Sequence, residues 1–436
     1  MKNPLLRIVE KQKNNHPIGI FSVCSANRYV IEAVLEHAKD NQCYALIEAT
    51  ANQVNQFGGY IGMVPSDFRD FVFNIADSVG IERNRVILGG DHLGPLLWVN
   101  EDATTAMEKA AVLIEEYVLA GFTKIHIDTS MLLKDDPKEK PLQDQLIVER
   151  SAFLARKAHN AFQQYKIEVS DAIPPVYVIG SEVPIPGGVW EEEEMHITSP
   201  HNLNETISNY EKEFKNKGLD DIWENVIAIV VQPGVEFGND TIHEYNHEQA
   251  INLMIELKQY QNLVFEGHST DYQTKEKLRE MVEDGVAILK VGPQLTFALR
   301  EVLYLLELCE IALVPTVKNR SNFKEVLDEM MISTPNYWEK YYLGDFNTQK
   351  LYRNYSYSDR SRYYFSCEKV EESIQKLLSN LSKDIIPLMI LSNYLPLQYQ
   401  KIRAGALKNN AESLVKDYIR QVLNDYLFAS RQNELF

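Results

Sequence analysis

The sequence is poor in cysteine and in positive charge, and it has no long apolar run. Its 436 residues hold four cysteines, Cys24, Cys43, Cys309 and Cys367, none in a CxxC pair. That excludes a zinc ribbon and a disulfide framework and leaves reduced, mostly buried thiols as the expectation. Lys and Arg number 44 against 62 Asp and Glu, a net charge of −18. Nucleic acid is thereby excluded as a partner, because binding it depends on a basic surface that neutralises phosphates. A small anionic substrate stays open, since a site can be locally positive on an acidic protein. No run approaches the ~18 apolar residues of a membrane span, so no membrane partner is expected. The opening MKNPLLRIVEKQKNN is too polar for a secretory signal, and cytoplasm is the expected location. The remaining composition, 45% hydrophobic with 20 Gly and 17 Pro, is that of an ordinary globular protein. The length allows one large core plus an extra segment.

Eight short apolar, β-branched runs are present, at 18–23, 43–48, 85–90, 124–128, 176–181, 226–232, 262–266 and 286–291. Amphipathic stretches of helical period lie between and after them, at 27–40, 67–79, 102–120, 145–164, 201–217, 245–259, 273–284 and 295–313. Strand and helix alternating eight times predict an α/β fold with a parallel sheet covered on both sides. The count favours a (β/α)₈ TIM barrel over an open sheet, and no GxGxxG follows the first strand to suggest a dinucleotide. Residues 314–436 differ: they are rich in Tyr, then helical in pattern, and predict a helical C-terminal extension packed on a barrel of residues 1–313. The tail's aromatics read as helical core and dimer contact, which makes a homo-oligomer an expectation.

In a barrel of this kind chemistry gathers at the C-terminal strand ends, and seven of the eight predicted strands end in reactive groups. Strand 2 ends in Glu48, with Gln53, Asn55 and Gln56 following. Strand 3 ends in Gly89-Gly90-Asp91-His92, and strand 4 carries His126 and Asp128. Strand 5 leads to Glu182 and VPIPGG, which reads as a lid over the mouth, and strand 6 to Gln232 and Glu236. Strand 7 ends in Glu266-Gly267-His268-Ser269-Thr270-Asp271, and strand 8 in Lys290-Val291-Gly292. His92 and His268 face each other across a closed barrel and, with carboxylates, suit a divalent metal such as zinc. The glycines beside them let backbone approach a ligand. Asp91 suits a general acid or base next to such a metal, or an anchor for His92. His126 shares its strand face with Asp128 and is expected deep in the barrel in a structural role. Lys290 is a candidate for meeting a substrate phosphate, with Gly267, Ser269 and Gly292 supplying amides and a hydroxyl. The alternative for Lys290 is a pair with Glu266 or Glu182 that only holds the mouth. The acidic run Glu191–Glu194 reads as a solvated loop. His16, His37, His159, His196, His201, His243 and His247 lack a convergent partner in sequence and are expected at the surface.

The motifs NQVNQFGGYIGM, GGDHLGP, HIDTSM, GSEVPIPGG, QPGVEFG, EGHSTDYQ and LKVGPQLTFALRE together resemble the non-catalytic subunit of class II D-tagatose-1,6-bisphosphate aldolase, the GatZ/KbaZ type. The likeness spans about residues 5–436. It implies kinship with zinc-dependent class II aldolase barrels and with metal-dependent sugar 4-epimerases. Carried over motif by motif, it implies that Asp91 and Glu182 are catalytic and that His92 and His268 are metal ligands. It further implies a sugar-binding role for Asp128 and a zinc His after strand 6. This chain has no His there, so Gln232 or Glu236 would have to supply the third ligand. The implied partners are a ketohexose or its phosphate and the catalytic aldolase subunit. Two functions stay open: an accessory subunit of tagatose-bisphosphate aldolase, or a metal-dependent tagatose/fructose (6-phosphate) 4-epimerase. A tagatose 6-phosphate kinase is a third, weaker reading, because no P-loop or kinase glycine pattern is visible.

Overall fold

The structure, a computed structural model, describes residues 2–137, 142–180 and 196–435. Eight parallel strands close into a barrel: β1 Ile20–Cys24, β2 Ala45–Thr50, β3 Val86–Leu93, β4 Lys124–Ile127, β5 Val176–Ile179, β6 Val226–Val231, β7 Val264–Gly267 and β8 Val286–Val291. Each pairs with its neighbour in sequence, and β8 closes the ring on β1 through Ile20↔Ile288 and Val23↔Val291. The fold is therefore the (β/α)₈ barrel that the alternation of signals predicts, followed by a helical extension. Local chemistry sets the helix starts. Asn27 caps Arg28–Asp40 by accepting from the Tyr29 and Val30 amides, and Asp102 caps Ala103–Leu119 through Thr105. Two features are new. A helix at Leu5–Lys13 precedes the barrel, and a small ribbon, Glu236–Phe237 against Ile242–His243, follows β6.

The strand period of two divides the residues into an outer and an inner set. Phe21, Ile47, Leu88, Ile125, Tyr177, Ile229, Phe265 and Leu289 join the large core under the helices. Ile20, Leu46, Ile87, Val178, Val230 and Ile288 form a separate cluster, joined by Leu5, Ile8 and Val9 of the first helix. That apolar layer fills one end of the barrel, and the helix plugs it. One step further along the same strand faces come Glu48, Lys124, Glu266 and Lys290, all buried. Above them stand Cys24, Asp91, His126 and His268. The interior thus passes from apolar to ionic to imidazole and carboxylate toward the mouth.

The extension is tied to the barrel at both ends. Its last helix, Ala411–Ser430, packs against helices Arg28–Asp40 and Lys275–Glu283. Tyr426 donates its hydroxyl to the Thr270 carbonyl at 2.9 Å, and Gln432 accepts from the Phe21 amide at 3.2 Å and donates to the Tyr44 carbonyl at 3.1 Å. His37 belongs to this seam. It is fully buried, with Nε2 3.0 Å from Asn424 Oδ1, which corrects its expected surface place; the partner lies 387 residues away and leaves no local signal. Among the described residues no helix is long and apolar enough to cross a membrane.

Leu423 is completely buried in that helix. Leu423→Ala should therefore cost about 2–5 kcal/mol of stability, by lost transfer energy and a cavity between helix and barrel. Urea unfolding of the full chain reads this. A loss under ~1 kcal/mol would mean that the helix can leave the barrel at little cost.

Candidate functional site

The ionic layer comes first, because everything above it rests on it. Lys124 Nζ lies 2.6 Å from Glu48 Oε1 and 2.7 Å from Glu266 Oε2, with all three side chains fully buried. Lys290 Nζ contacts Glu48 and lies 2.8 Å from Asp91 Oδ1 and 3.8 Å from Glu266 Oε1. Burial opposes charging each ammonium, but the carboxylates around it win, so both lysines are held above their ordinary value, Lys290 strongly so. The same balance drives Asp91 and Glu266 well below the usual carboxylate range: burial raises them and the lysines outweigh it. Lys290 was a candidate for meeting a phosphate; its ammonium is instead taken up by three carboxylates. Gly89 makes the layer fit, since a Cβ there would stand 2.7 Å from Glu48 Cγ.

Three imidazoles gather above, with ring centroids 5.0, 5.0 and 5.2 Å apart. Each has one nitrogen on a carboxylate: His92 Nδ1 on Asp128 Oδ2 at 2.9 Å, His126 Nδ1 on Asp91 Oδ1 at 2.9 Å, and His268 Nε2 on Glu266 Oε1 at 3.0 Å. His92 Nε2 lies 3.8 Å from Asp91 Oδ2, the His92 amide also points to His126 Nδ1 at 3.2 Å, and His126 Nε2 is buried without a hydrogen-bond partner. A ring nitrogen fixed by a carboxylate, with the other free, is how metal-bound histidines are oriented. One ligand atom from each of Asp91, His92, His126 and His268 lies within 4.8 Å of the others. This donor set suits zinc or a similar divalent ion. Burial lowers His268 to about 4, so its ring is neutral. Burial also pulls His92 down, but Asp91 and Asp128 raise it overall. Asp128 is held near 2: burial raises it, and the His92 hydrogen bond and charge outweigh that.

Local backbone places these groups. His92 adopts φ +49° and Ser269, next to His268, φ +53°, a region costly for residues with a Cβ and tolerated where the surroundings over-determine it. Gly94 lets β3 close on β4: a Cβ there would sit 1.7 Å from the Asp128 carbonyl oxygen, so only glycine lets the two ends meet and His92 reach Asp128.

The remaining candidates separate into two groups. Gln53, Ser269, Asp271 and Gly292 line a cavity at the mouth, together with Asp91, His92, His268 and Lys290. The Gly292 amide is already engaged, donating to Asp271 Oδ1 at 3.0 Å, and burial lifts the Asp271 carboxyl to about 6. Glu48, Asn55, Asp128 and Gly267 do not line it. Asn55 braces its own loop by accepting from the Phe57 and Gly59 amides. Gly267 packs against Val286, where a Cβ would come within 2.7 Å of Cγ1. Gln232 and Glu236, the alternatives for a third ligand, are not in the group of four, although Glu236 meets Ser269, the residue after His268. Gln232 Oε1 accepts from the Gly234 and Val235 amides, and Glu236 from the Phe237 amide, with burial raising its carboxyl to about 7. His126 is the fourth residue of that group. Glu182, the VPIPGG lid and the run Glu191–Glu194 lie outside the described residues.

The cavity also takes residues that sequence reasoning passed over: Cys24, Tyr60, Phe237, Arg362 and Tyr363. The Cys24 thiol donates to Asp91 Oδ2 at 3.5 Å, and burial pushes it well up. Arg362 and Tyr363 come from the extension, whose SRYYF run was the available signal.

A family model described as D-tagatose-1,6-bisphosphate aldolase subunit GatZ/KbaZ-like matches residues 5–431. The chain belongs to that family. A solved structure described as a probable tagatose 6 phosphate kinase from Sinorhizobium meliloti 1021 is 42% identical, with a TM-score of 0.85 over 94% of this chain and 100% of that one. A fructose-bisphosphate aldolase from Campylobacter jejuni is 14% identical, with a TM-score of 0.44 over 87% of this chain and 93% of that one. The GatZ/KbaZ-like chain described here is thus an aldolase-subunit relative with a buried cluster able to hold a metal.

Lys124→Met leaves Glu48 and Glu266 to share the single ammonium of Lys290 in a dry interior and should cost about 3–5 kcal/mol in urea unfolding. Adding Glu266→Gln should recover part of that loss. Equal instability in the single and double variants would show that charge pairing is not what holds the layer.

Proposed function

We propose that this chain acts in tagatose-type sugar metabolism as a metal-dependent ketohexose or ketohexose-phosphate 4-epimerase. The observation that carries the reading is the triad of imidazoles, each with one nitrogen on a carboxylate and gathered with Asp91 so that one ligand atom of each lies within 4.8 Å of the others. A chain that only supported a partner would gain nothing from burying such a set, which is costly unless fully paired. His92, His126 and His268 are the proposed ligands, with Asp91 beside them. A divalent ion held there supplies polarisation of the ketose oxygens. Inversion at C4 then needs one group to take the C4 hydroxyl proton as the C3–C4 bond breaks. The same or another group returns a proton after the aldehyde has presented its other face. Asp91, in the cavity beside Lys290, and Glu182 are the proposed carboxylates for these transfers.

The second reading is the accessory subunit of a class II tagatose-bisphosphate aldolase, with a catalytic subunit or a second copy of this chain as partner. The family description favours it. The kinase activity named for the Sinorhizobium meliloti protein finds less support, because this sequence has no G-x-x-x-x-G-K-[ST] loop to cradle a nucleotide's phosphates. The proposed setting is the cytoplasm.

Elemental analysis of purified protein tests the centre: His92→Ala, His126→Ala and His268→Ala should each lower bound metal without unfolding the barrel. Unchanged metal in all three would remove the centre. Zinc-supplied protein alone should interconvert tagatose and fructose, or their 6-phosphates, at C4. No conversion, together with a rise in the activity of the catalytic aldolase subunit on mixing, would replace the epimerase with the accessory reading.

A further inference from the structure

We propose that Arg362, supplied by the C-terminal extension, is the anion-recognising group of the mouth cavity, and that the cavity takes a sugar with an anionic terminus. The inference rests on the reading of the mouth as a sugar site and adds the substrate's charge and the residue that meets it.

Two cations line the cavity, Lys290 and Arg362. Lys290 is consumed by Glu48, Asp91 and Glu266. Arg362 has no carboxylate within ion-pair distance among the described residues. Its Nη1 donates to the Asp359 carbonyl at 2.7 Å and its Nη2 to the Tyr363 hydroxyl at 3.1 Å. Both acceptors are uncharged and a guanidinium has five N–H donors, so most of its hydrogen-bonding capacity is left for a ligand, while Asp271 and Asp359 act on its charge only from beyond ion-pair distance. Arg362 also lines a second cavity, which shares Cys24, Gln53 and Tyr60 with the first. It therefore stands where the two compartments meet.

The arginine is held in place by aromatic rings and by backbone contacts of the preceding segment. Tyr363 stacks on Tyr337 with centroids 4.7 Å apart and 6° between planes, and meets Tyr60 edge-on at 4.7 Å. The segment before it is stitched to the barrel: Tyr357 and Ser358 donate their amides to the Asn239 and Gly238 carbonyls, and Tyr272 donates its hydroxyl to the Tyr357 carbonyl. Buried Arg300 contacts Asp359 at 3.4 Å. A fixed, planar fork without a carboxylate suits a phosphate or carboxylate received through paired N–H bonds.

The test uses full-length, zinc-loaded protein and calorimetric titration with fructose 6-phosphate, fructuronate, fructose and inorganic phosphate. Arg362→Gln should weaken fructose 6-phosphate or fructuronate by roughly 10- to 100-fold, the range of a charge-assisted contact. Fructose should stay within about twofold, and Arg362→Lys should recover part of the loss. The arm that drops more identifies the anion as phosphate or carboxylate. Equal weakening of charged and neutral sugars, or none, overturns the assignment and leaves the sugar site standing. Should wild type bind inorganic phosphate but no sugar, and Arg362→Gln lose that phosphate, the anion site stands and the sugar reading falls. Phosphate bound equally by wild type and Arg362→Gln overturns the assignment.

Discussion

Two lysines in the dry centre of the barrel constrain everything above them. Removing one ammonium or carboxylate from water costs several kcal/mol, and that cost is met only when each charge touches an opposite one. Lys124 bridges Glu48 and Glu266, while Lys290 bridges Glu48, Asp91 and, more loosely, Glu266. These contacts link strands β2, β3, β4, β7 and β8, so the register of five strands is pinned by charge as well as by the ladder. The layer also fixes what lies above it. Glu266 has its second oxygen on His268, and Asp91 has the oxygen that meets Lys290 also on His126. The lysines hold the carboxylates, and the carboxylates turn the imidazoles.

This arrangement leaves a charge imbalance. Glu48, Asp91, Asp128 and Glu266 are four buried carboxylates, and Lys124 and Lys290 are two buried ammonium groups. The carboxylates thus outnumber the ammonium groups by two in a low-dielectric interior, and burial keeps the His268 ring neutral. A divalent ion among the histidines would supply the balance, and the upward pull on His92 reports the same demand for positive charge. The four hard and borderline donors near one point, and the electrostatics of the layer beneath them, thus favour the same occupant.

Much of this was legible in the sequence because it is local or periodic. The eight strands and eight helices follow from short apolar runs alternating with helical period, and their observed bounds differ from the expected ones by a few residues. The polar strand ends follow from the same reading, since parity places Glu48, Asp91, Lys290 and His268 on inner faces. What was not legible depends on distances across the barrel. His126 reads as structural along its own strand; only the closure of β3, β4 and β7 shows it equidistant from His92 and His268. Lys290 reads either as a phosphate contact or as a partner of Glu266 or Glu182, and its contact with Glu48 leaves no local signal because Glu48 is 242 residues away. Gln232 and Glu236 read as ligands by analogy of position, but the turn after β6 draws Gln232 onto its own amides. The helix at Leu5–Lys13 was hidden by its polar face, although Leu5, Ile8 and Val9 carry the spacing of a plug.

The extension shows how an acidic protein can still receive an acidic ligand. The ionic layer is negative, and the surface carries the rest of a charge of −18, so the long-range field opposes an approaching anion. Screening limits that field to about 10 Å at moderate salt, and only charge inside the cavity acts at full strength. The barrel's own mouth lysine is neutralised by the groups that hold the barrel together, so it cannot also serve a ligand. A cation for that purpose has to come from a part of the chain not engaged in the layer. The extension meets the requirement, because the hydrogen bonds of Tyr357 and Ser358 to the loop after β6 and the rings of Tyr337, Tyr363 and Tyr60 set a guanidinium at the rim with no carboxylate in ion-pair distance among the described residues. On this argument the Tyr-rich segment is not packing alone: its aromatic rings are the neutral support that lets a buried arginine keep its charge for something else.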